Sequence, residues 1–410
     1  MGFLSKWTGS AGPAAIITSA FIGPGTIIVS TKAGAAFGFS LLWAAVFAVA
    51  SLMFLMETAA RISLVSGRDL VEASAGVLPG RRWWSLLIRG FILLSVLTIC
   101  FAFQAGNLTG GSLGLADAAG VDRRWIVLLM TAVVLVVTFM RSMRSFEAVM
   151  KFFVGLMGLI FVLTMFFVRP DAASVARGLV PSIPDGAGMT ALALVGTTLI
   201  GINLILHSIT TKARWRGAEH LGEARRDILL NISVGGLITI ALVVTAATLL
   251  YGGAVKGNPA LAFTQSLEPV LGRSARVFGD VGLFAAGLSS AIAVPFTLKS
   301  ISASVFNFRG GPDGLPANAL ALAAILFGAV LAWSGRSPLE IVMLAQATSG
   351  LFLPFITVLI LVVANDRRLL GEHANGPVAN AAGLIVVALT ILLGANGVGN
   401  ACRTFMHLFG

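Results

Sequence analysis

Apolar stretches of about twenty residues, cut by short polar connections, recur from Ala14 towards the C-terminus. A bilayer core of roughly 30 Å takes about 20 apolar helical residues to cross, and on that measure the chain predicts about eleven spans. They cover Ala14–Phe37, Ser40–Ile62, Leu86–Leu113, Trp125–Phe139, Phe146–Val168, Met189–Thr211, Ile228–Tyr251, Phe278–Val305, Ala317–Trp333, Leu339–Val363 and Val378–Leu393, numbered spans 1 to 11. A polar segment, Gly252–Arg276, separates spans 7 and 8.

Two spans contain a fault. Span 1 carries Ile22-Gly23-Pro24-Gly25-Thr26 at its middle. Proline removes a backbone donor and glycine relaxes the dihedrals, so a continuous helix is not expected there. In lipid such a break is tolerated only where the freed backbone faces protein or a wet cavity. Span 6 carries a matching stretch, Ile200-Gly201-Ile202-Asn203-Leu204-Ile205-Leu206-His207-Ser208. Gly23 falls on Gly201, Ile27 on Ile205 and Ser30 on Ser208 at one offset. Interrupted helices at corresponding places in two halves point to a secondary transporter's binding site. The reading is a single transmembrane domain over 1–410, with repeat halves at about 14–170 and 188–365 and an added helix at about 378–395.

Composition agrees. The chain is 57% hydrophobic and 11% charged, against roughly 25% charged in a soluble domain. The net charge of +11 does not imply nucleic acid, because the basic residues sit in short connections. The clusters Arg61–Arg89, Arg141–Lys151 and Lys212–Arg226 fall on one side if the N-terminus is cytoplasmic. Their excess over Lys32, Arg123, Arg124 and Lys256 on the other side favours N-in, C-out in a plasma membrane. Met1 to Pro13 shows no cleavage-site pattern, so no removable leader is expected. Cys100 and Cys402 have no ligand spacing, and neither a cofactor nor a resident metal is implied.

With the residues set out, the chain resembles the Nramp divalent-metal transporters over almost its whole length. Gly23-Pro24-Gly25-Thr26 has the shape of that family's Asp-Pro-Gly-Asn segment. Thr58-Ala59-Ala60-Arg61, Val65-Ser66-Gly67-Arg68-Asp69-Leu70 and Phe146-Glu147-Ala148 are similar to family strings. So are Gly196-Thr197-Thr198 with the span 6 stretch above, Gly287-Leu288-Ser289-Ser290, Ala345-Gln346, Leu353-Pro354-Phe355 and Asn365-Asp366-Arg367-Arg368. The resemblance implies an all-α LeuT-type fold, a 5+5 inverted repeat with helices 1 and 6 broken, and alternating access. It also implies a metal site of Asp, Asn and Met, where this chain has Gly23, Thr26 and Ile200. The family's helix 6 proline and histidine become Gly201 and Ile202, and the carboxylates expected in helix 3 are absent from Phe103-Gln104-Ala105-Gly106-Asn107-Leu108-Thr109-Gly110.

A dication facing only backbone dipoles and hydroxyls is several kcal/mol or more short of compensation. Half-helix N-termini favour anions instead. The reading of the residues is therefore a secondary transporter whose transition-metal site is lost and which carries a small anion such as bicarbonate. Its alternatives are a divalent metal transporter (Mn, Fe or Mg) with an altered site, and a non-transporting receptor or scaffold. An enzyme is not expected, since no nucleophile–base pair or paired carboxylate appears within the spans. The expected substrate contacts are Gly23, Gly25, Thr26, Ser30, Thr197, Ile200, Gly201, Asn203 and Gln346. Ser289, Ser290 and His207 are candidates for coupling to Na+ or H+, and Lys32 for the mouth of the access path. Gln104 and Asn107, at i and i+3 on one helix face, are expected to bond between helices. Glu57, Glu147 and Asp280 lie near helix ends, away from the breaks.

Overall fold

A computed structural model describes residues 12–78, 80–140, 143–253, 257–268 and 272–409, without the side chains of 143–145, 273, 275 and 396–409. The sequence readings of Lys6, Arg141, Arg144, Lys256, Arg273, Cys402, Arg403 and His407 lie outside what is described. Among the described residues nine helices are long and apolar enough to cross a membrane, ten if the bent pair in span 1 counts as one. The remaining expected span, Arg123–Thr138, has 16 residues and reaches about 24 Å. Span 3 is longer than expected, Arg82–Ala119, and span 11 runs as helix over Pro377–Phe409. The expected polar segment holds a short helix, Pro259–Ser266, begun by an Asn258 side-chain cap and a proline.

Span 1 breaks where proline and glycine demand it. Its halves are Ala14–Phe21 (1a) and Pro24–Phe37 (1b), bent by 59°. Gly23 is extended, at φ −120° and ψ −176°, and Pro24 opens the second half. Span 6 breaks between Gly188–Thr198 (6a) and Gly201–Arg214 (6b). The sequence placed that fault near Gly201; the non-helical residues are Leu199 and Ile200, and Gly201 already belongs to 6b. With no proline to force a kink, the two halves still align as one 27-residue span. Glycine at 201 leaves room for span 10: a Cβ there would lie 2.6 Å from Ile356 Cδ1.

Span 3 is the axis on which the breaks are hung. Its glycines face span 8 and span 1 without side chains between. A Cβ on Gly111 would meet the Gly287 Cα at 2.7 Å, one on Gly110 the ring of Pro24 at 2.4 Å, and one on Gly114 the Asp280 carbonyl oxygen at 2.2 Å. Without a hydrophobic drive between helices in lipid, such close backbone packing is the main source of association. The outward faces carry Phe152, Phe166, Val330 and Leu384, all exposed on the isolated chain and suited to lipid. At the face where span 1 begins, Asp69 and Glu72 form a capping box on Leu70–Ala75 and pair with Lys212 of 6b. Leu70 N–H donates to Ser208 Oγ at 2.9 Å.

The glycine seam is directly testable. Gly287→Ala forces spans 3 and 8 apart and is expected to cost about 1–3 kcal/mol, as overpacking does. Gly155→Ala, where nothing lies within 4 Å, is expected to be neutral. Thermal unfolding of both variants in detergent measures the difference.

Candidate functional site

The two breaks face each other in the middle of the bundle, and the chain itself satisfies much of the freed backbone. Thr26 Oγ1 donates to the Phe21 carbonyl at 2.7 Å, tying 1b to the end of 1a. Ser290 Oγ of span 8 lies 3.1–3.2 Å from the carbonyl oxygens of Ser19, Ala20 and Ile22. Its single hydroxyl proton can serve one of them at a time. Thr26 and Ser290 thus hold the broken helix together. Ser289 bonds back to Ala286 at 3.1 Å, and Thr197 to Leu194 at 3.0 Å.

Other expected contacts carry unused polar atoms. Ser30 Oγ, Thr198 Oγ1, Asn203 Nδ2 and Gln346 Oε1 are buried without a hydrogen-bond partner among the described residues. Gln346 reaches from span 10 across Gly25: its Nε2 occupies the space a Cβ would need, 1.9 Å from that position. Gly25 is therefore required for the close approach of this amide. Ile200 and Gly201 are buried apolar elements of the second break. His207 is fully buried on 6b, its Nε2 3.4 Å from Thr211 Oγ1 and its Nδ1 unpartnered. Lys32 is half-buried along 1b, with no ion pair among the described residues.

Asn107 faces the first break, although the sequence reading gave it to interhelical bonding. Its Oδ1 lies 3.3 Å from where a Cβ on Gly23 would stand, with Ser290 Oγ at 3.0 Å on another side. Its Nδ2 has no partner, so the expected bond to a neighbouring helix is not made. Gln104 makes none either; its side chain packs against Gly328 of span 9 with both amide atoms unpartnered. The available signal was the glycine face of span 3, which carries Asn107 beside Gly110 and Gly111 towards span 1.

Among the described residues, none of the side chains bonded to or packed on the breaks is a carboxylate. Among the described residues no group of three His, Cys, Asp or Glu could hold a metal ion. The buried acids are elsewhere: Asp227 accepts from the N–H groups of Gly12 and Ala14 at 2.8 and 2.9 Å, Asp69 caps a loop helix, and Asp280 lies at the far end of span 8. Asp69 is outside the spans, and its burial raises its pKa above the usual carboxylate value. A cavity of about 360 Å³ opens between spans 1, 5, 6 and 8 on the face where span 1 begins. Ile16, Phe146, Thr210, Phe296 and Lys299 line it, and the Phe146 and Phe296 rings stack at 4.4 Å.

A helical bundle with paired interrupted spans around a buried polar centre is the architecture of LeuT-type secondary transporters. The fold overlays on MhsT in complex with L-phenylalanine, with a TM-score of 0.62 at 14% identity over 93% of this chain and 98% of that one. It overlays more closely on the Eremococcus coleocola manganese transporter, with a TM-score of 0.83 at 20% identity over 99% and 89%. The model of the family described as natural resistance-associated macrophage protein-like matches residues 14–399, and the chain belongs to this Nramp family of membrane transporters. Relatives include the divalent metal cation transporter MntH of Aeromonas hydrophila, 26% identical over 94% of both chains. The MntH of Pectobacterium carotovorum is 24% identical over 93% of this chain and 92% of its own.

The Thr26 strap gives a stability test. Thr26→Val removes one of the two hydrogen bonds the Phe21 carbonyl accepts and leaves it the Gly23 N–H at 3.1 Å, at a cost of about 0.5–1.5 kcal/mol. Thr26→Ser keeps the hydroxyl and is expected to recover most of it. The midpoint of thermal unfolding for both variants is the measurement, and equal midpoints for Val and wild type would show that the strap contributes nothing.

Proposed function

We propose that the chain moves a divalent metal cation by alternating access, through a site built of neutral oxygens. The observation that carries this is the convergence of two amides, Asn107 from span 3 and Gln346 from span 10, on the Gly-Pro-Gly break. The names of the relatives, which match end to end, favour the same cargo class. The resemblance puts Gly23, Thr26 and Ile200 where family members carry an acid, an amide and a thioether. Losing the thioether removes the soft ligand, so hard cations such as Mg2+ and Mn2+ fit better than soft ones. Losing the carboxylate leaves the charge uncompensated unless the ion keeps part of its hydration shell, as Mg2+ readily does. The unpaired amide atoms around the break can then bond to that water. The consequence is weak binding, with saturation nearer millimolar than micromolar.

A second reading rests on one observation. Both 1b and 6b begin at the breaks, at Pro24 and Gly201, with no acid beside them. Their free N–H groups suit a small anion such as bicarbonate. In either case the basic clusters favour a bacterial inner membrane with the face where span 1 begins on its cytoplasmic side. The 360 Å³ cavity, with the Phe146–Phe296 stack in its wall, is then the inner vestibule. The coupling ion is Na+ or H+.

Uptake into proteoliposomes separates the readings. Metal transport predicts saturable Mn2+ or Mg2+ flux, while anion transport predicts bicarbonate flux with no metal movement. A scaffold predicts neither. Gly23→Asp tests the site itself. Gly23 is extended, so any residue can adopt its backbone, and the added side chain enters between Asn107 and Ser290. On the metal reading a carboxylate there is expected to tighten Mn2+ binding at least about tenfold, a gain of about 1.4 kcal/mol. Isothermal titration reads this directly, and unchanged Mn2+ affinity would move the cargo site away from the break.

A further inference from the structure

Asp280 is fully buried in span 8, and neither carboxylate oxygen has a hydrogen-bond partner among the described residues. Donors near it are few. Thr264, on the short helix packed against Gly279, donates to the Leu261 carbonyl at 3.1 Å, and its rotatable hydroxyl can turn to the carboxylate instead. Arg276, one turn before Asp280, bonds to Asp117 at 2.7 Å and to Glu268 at 2.9 Å. Asp117 itself lies one turn beyond Gly114 on span 3, and Gly114 rests on the Asp280 carbonyl oxygen. The other element against this part of span 8 is apolar: Ile160 and Phe161 of span 5 pack on Gly282.

Asp117, Glu268 and an ionised Asp280 set three negative charges around the one guanidinium of Arg276, which two of them already share. A buried carboxylate with no donor is costly, and such groups neutralise or bind a cation. Among the described residues no group of three His, Cys, Asp or Glu that could hold a metal ion includes Asp280, whereas a proton needs none. The position is also suited to coupling. Ten residues along the same helix, about 15 Å away, Ser290 holds the carbonyls of the span 1 break. Backbone contact of Gly114 with Asp280 and of Gly111 with Gly287 locks the intervening stretch to span 3, which carries Asn107.

We propose that Asp280 is a proton-carrying group of the transport cycle, gaining a proton from water on the face opposite the start of span 1 and returning it as the cycle turns. This rests on the reading of the chain as a transporter, not on which ion it carries. Only a proton moves: the carboxylate becomes a carboxyl, and the net charge of the Asp117–Glu268–Asp280–Arg276 cluster changes by one.

The test needs no cargo. Infrared difference spectra of the purified protein, titrated between about pH 4 and pH 9, are expected to show a protonated-carboxyl band that is absent in Asp280→Asn and kept, shifted, in Asp280→Glu. In vesicles loaded with a pH-sensitive dye and polarised by a potassium gradient, Asp280→Asn is expected to lower proton flux at least tenfold. Elution as one species and an unfolding midpoint close to wild type establish that each variant is folded. The proposal is overturned if the Asp280→Asn spectra match wild type, if the band follows sodium concentration rather than pH, or if a folded Asp280→Asn conducts protons normally.

Discussion

A helix broken in the middle of a membrane must find partners for the backbone groups it frees, because hydrocarbon supplies none. This constraint organises the structure. Pro24 and Gly23 free carbonyls at the end of 1a, and the nearest hydroxyls are drawn onto them: Thr26 from the far side of the break and Ser290 from span 8. Each buried carbonyl left alone would cost about 1–3 kcal/mol, so these two side chains are committed to structure first. What remains for a substrate is the set of polar atoms the backbone did not claim: the amides of Asn107, Asn203 and Gln346 and the hydroxyls of Ser30 and Thr198.

Close glycine packing makes that partition possible. Ser290 reaches the span 1 carbonyls because Gly287 and Gly111 bring spans 8 and 3 into backbone contact, and Pro24 seats on Gly110 of the same helix. Gln346 lies over the break only because position 25 has no side chain. The same glycines that shorten interhelical distances also fix which polar groups face the centre. A methyl group at Gly110 or Gly111 would move the site as well as destabilise the bundle.

The fold was legible in the sequence to the extent that it rests on covalent chemistry. Twenty-residue apolar runs give spans, and Gly-Pro-Gly gives a break whose position proline dictates. The second break lies at Leu199 and Ile200, directly before the Gly201 that marked it, although no proline fixes it there. The site was less legible, since it depends on where side chains turn. Thr26 reads as a substrate hydroxyl in sequence and is a strap in three dimensions. Asn107 reads as one half of a polar pair with Gln104, yet one faces span 1 and the other span 9. Helical spacing places both on one side of span 3, and only the neighbours distinguish them.

Charge balance links the centre to the far end of span 8. A family site with a carboxylate at the first break can hold cation charge where the cargo binds. Here the centre is built of neutral amides, hydroxyls and peptide groups, and the buried unpaired acid lies about 15 Å along the helix. At that separation, with part of the path in low dielectric, a charge change at Asp280 is felt at the break at an effective dielectric near 20 by about 1 kcal/mol. That is several-fold in affinity but far below what binds a bare dication. Cargo held at such a centre must bring its own compensation, either as retained water around a cation or as the negative charge of an anion meeting free N–H groups. On the proposed reading the neutral centre makes the affinity weak, and the seam between spans 3 and 8 is the physical connection through which the distant acid would bias it.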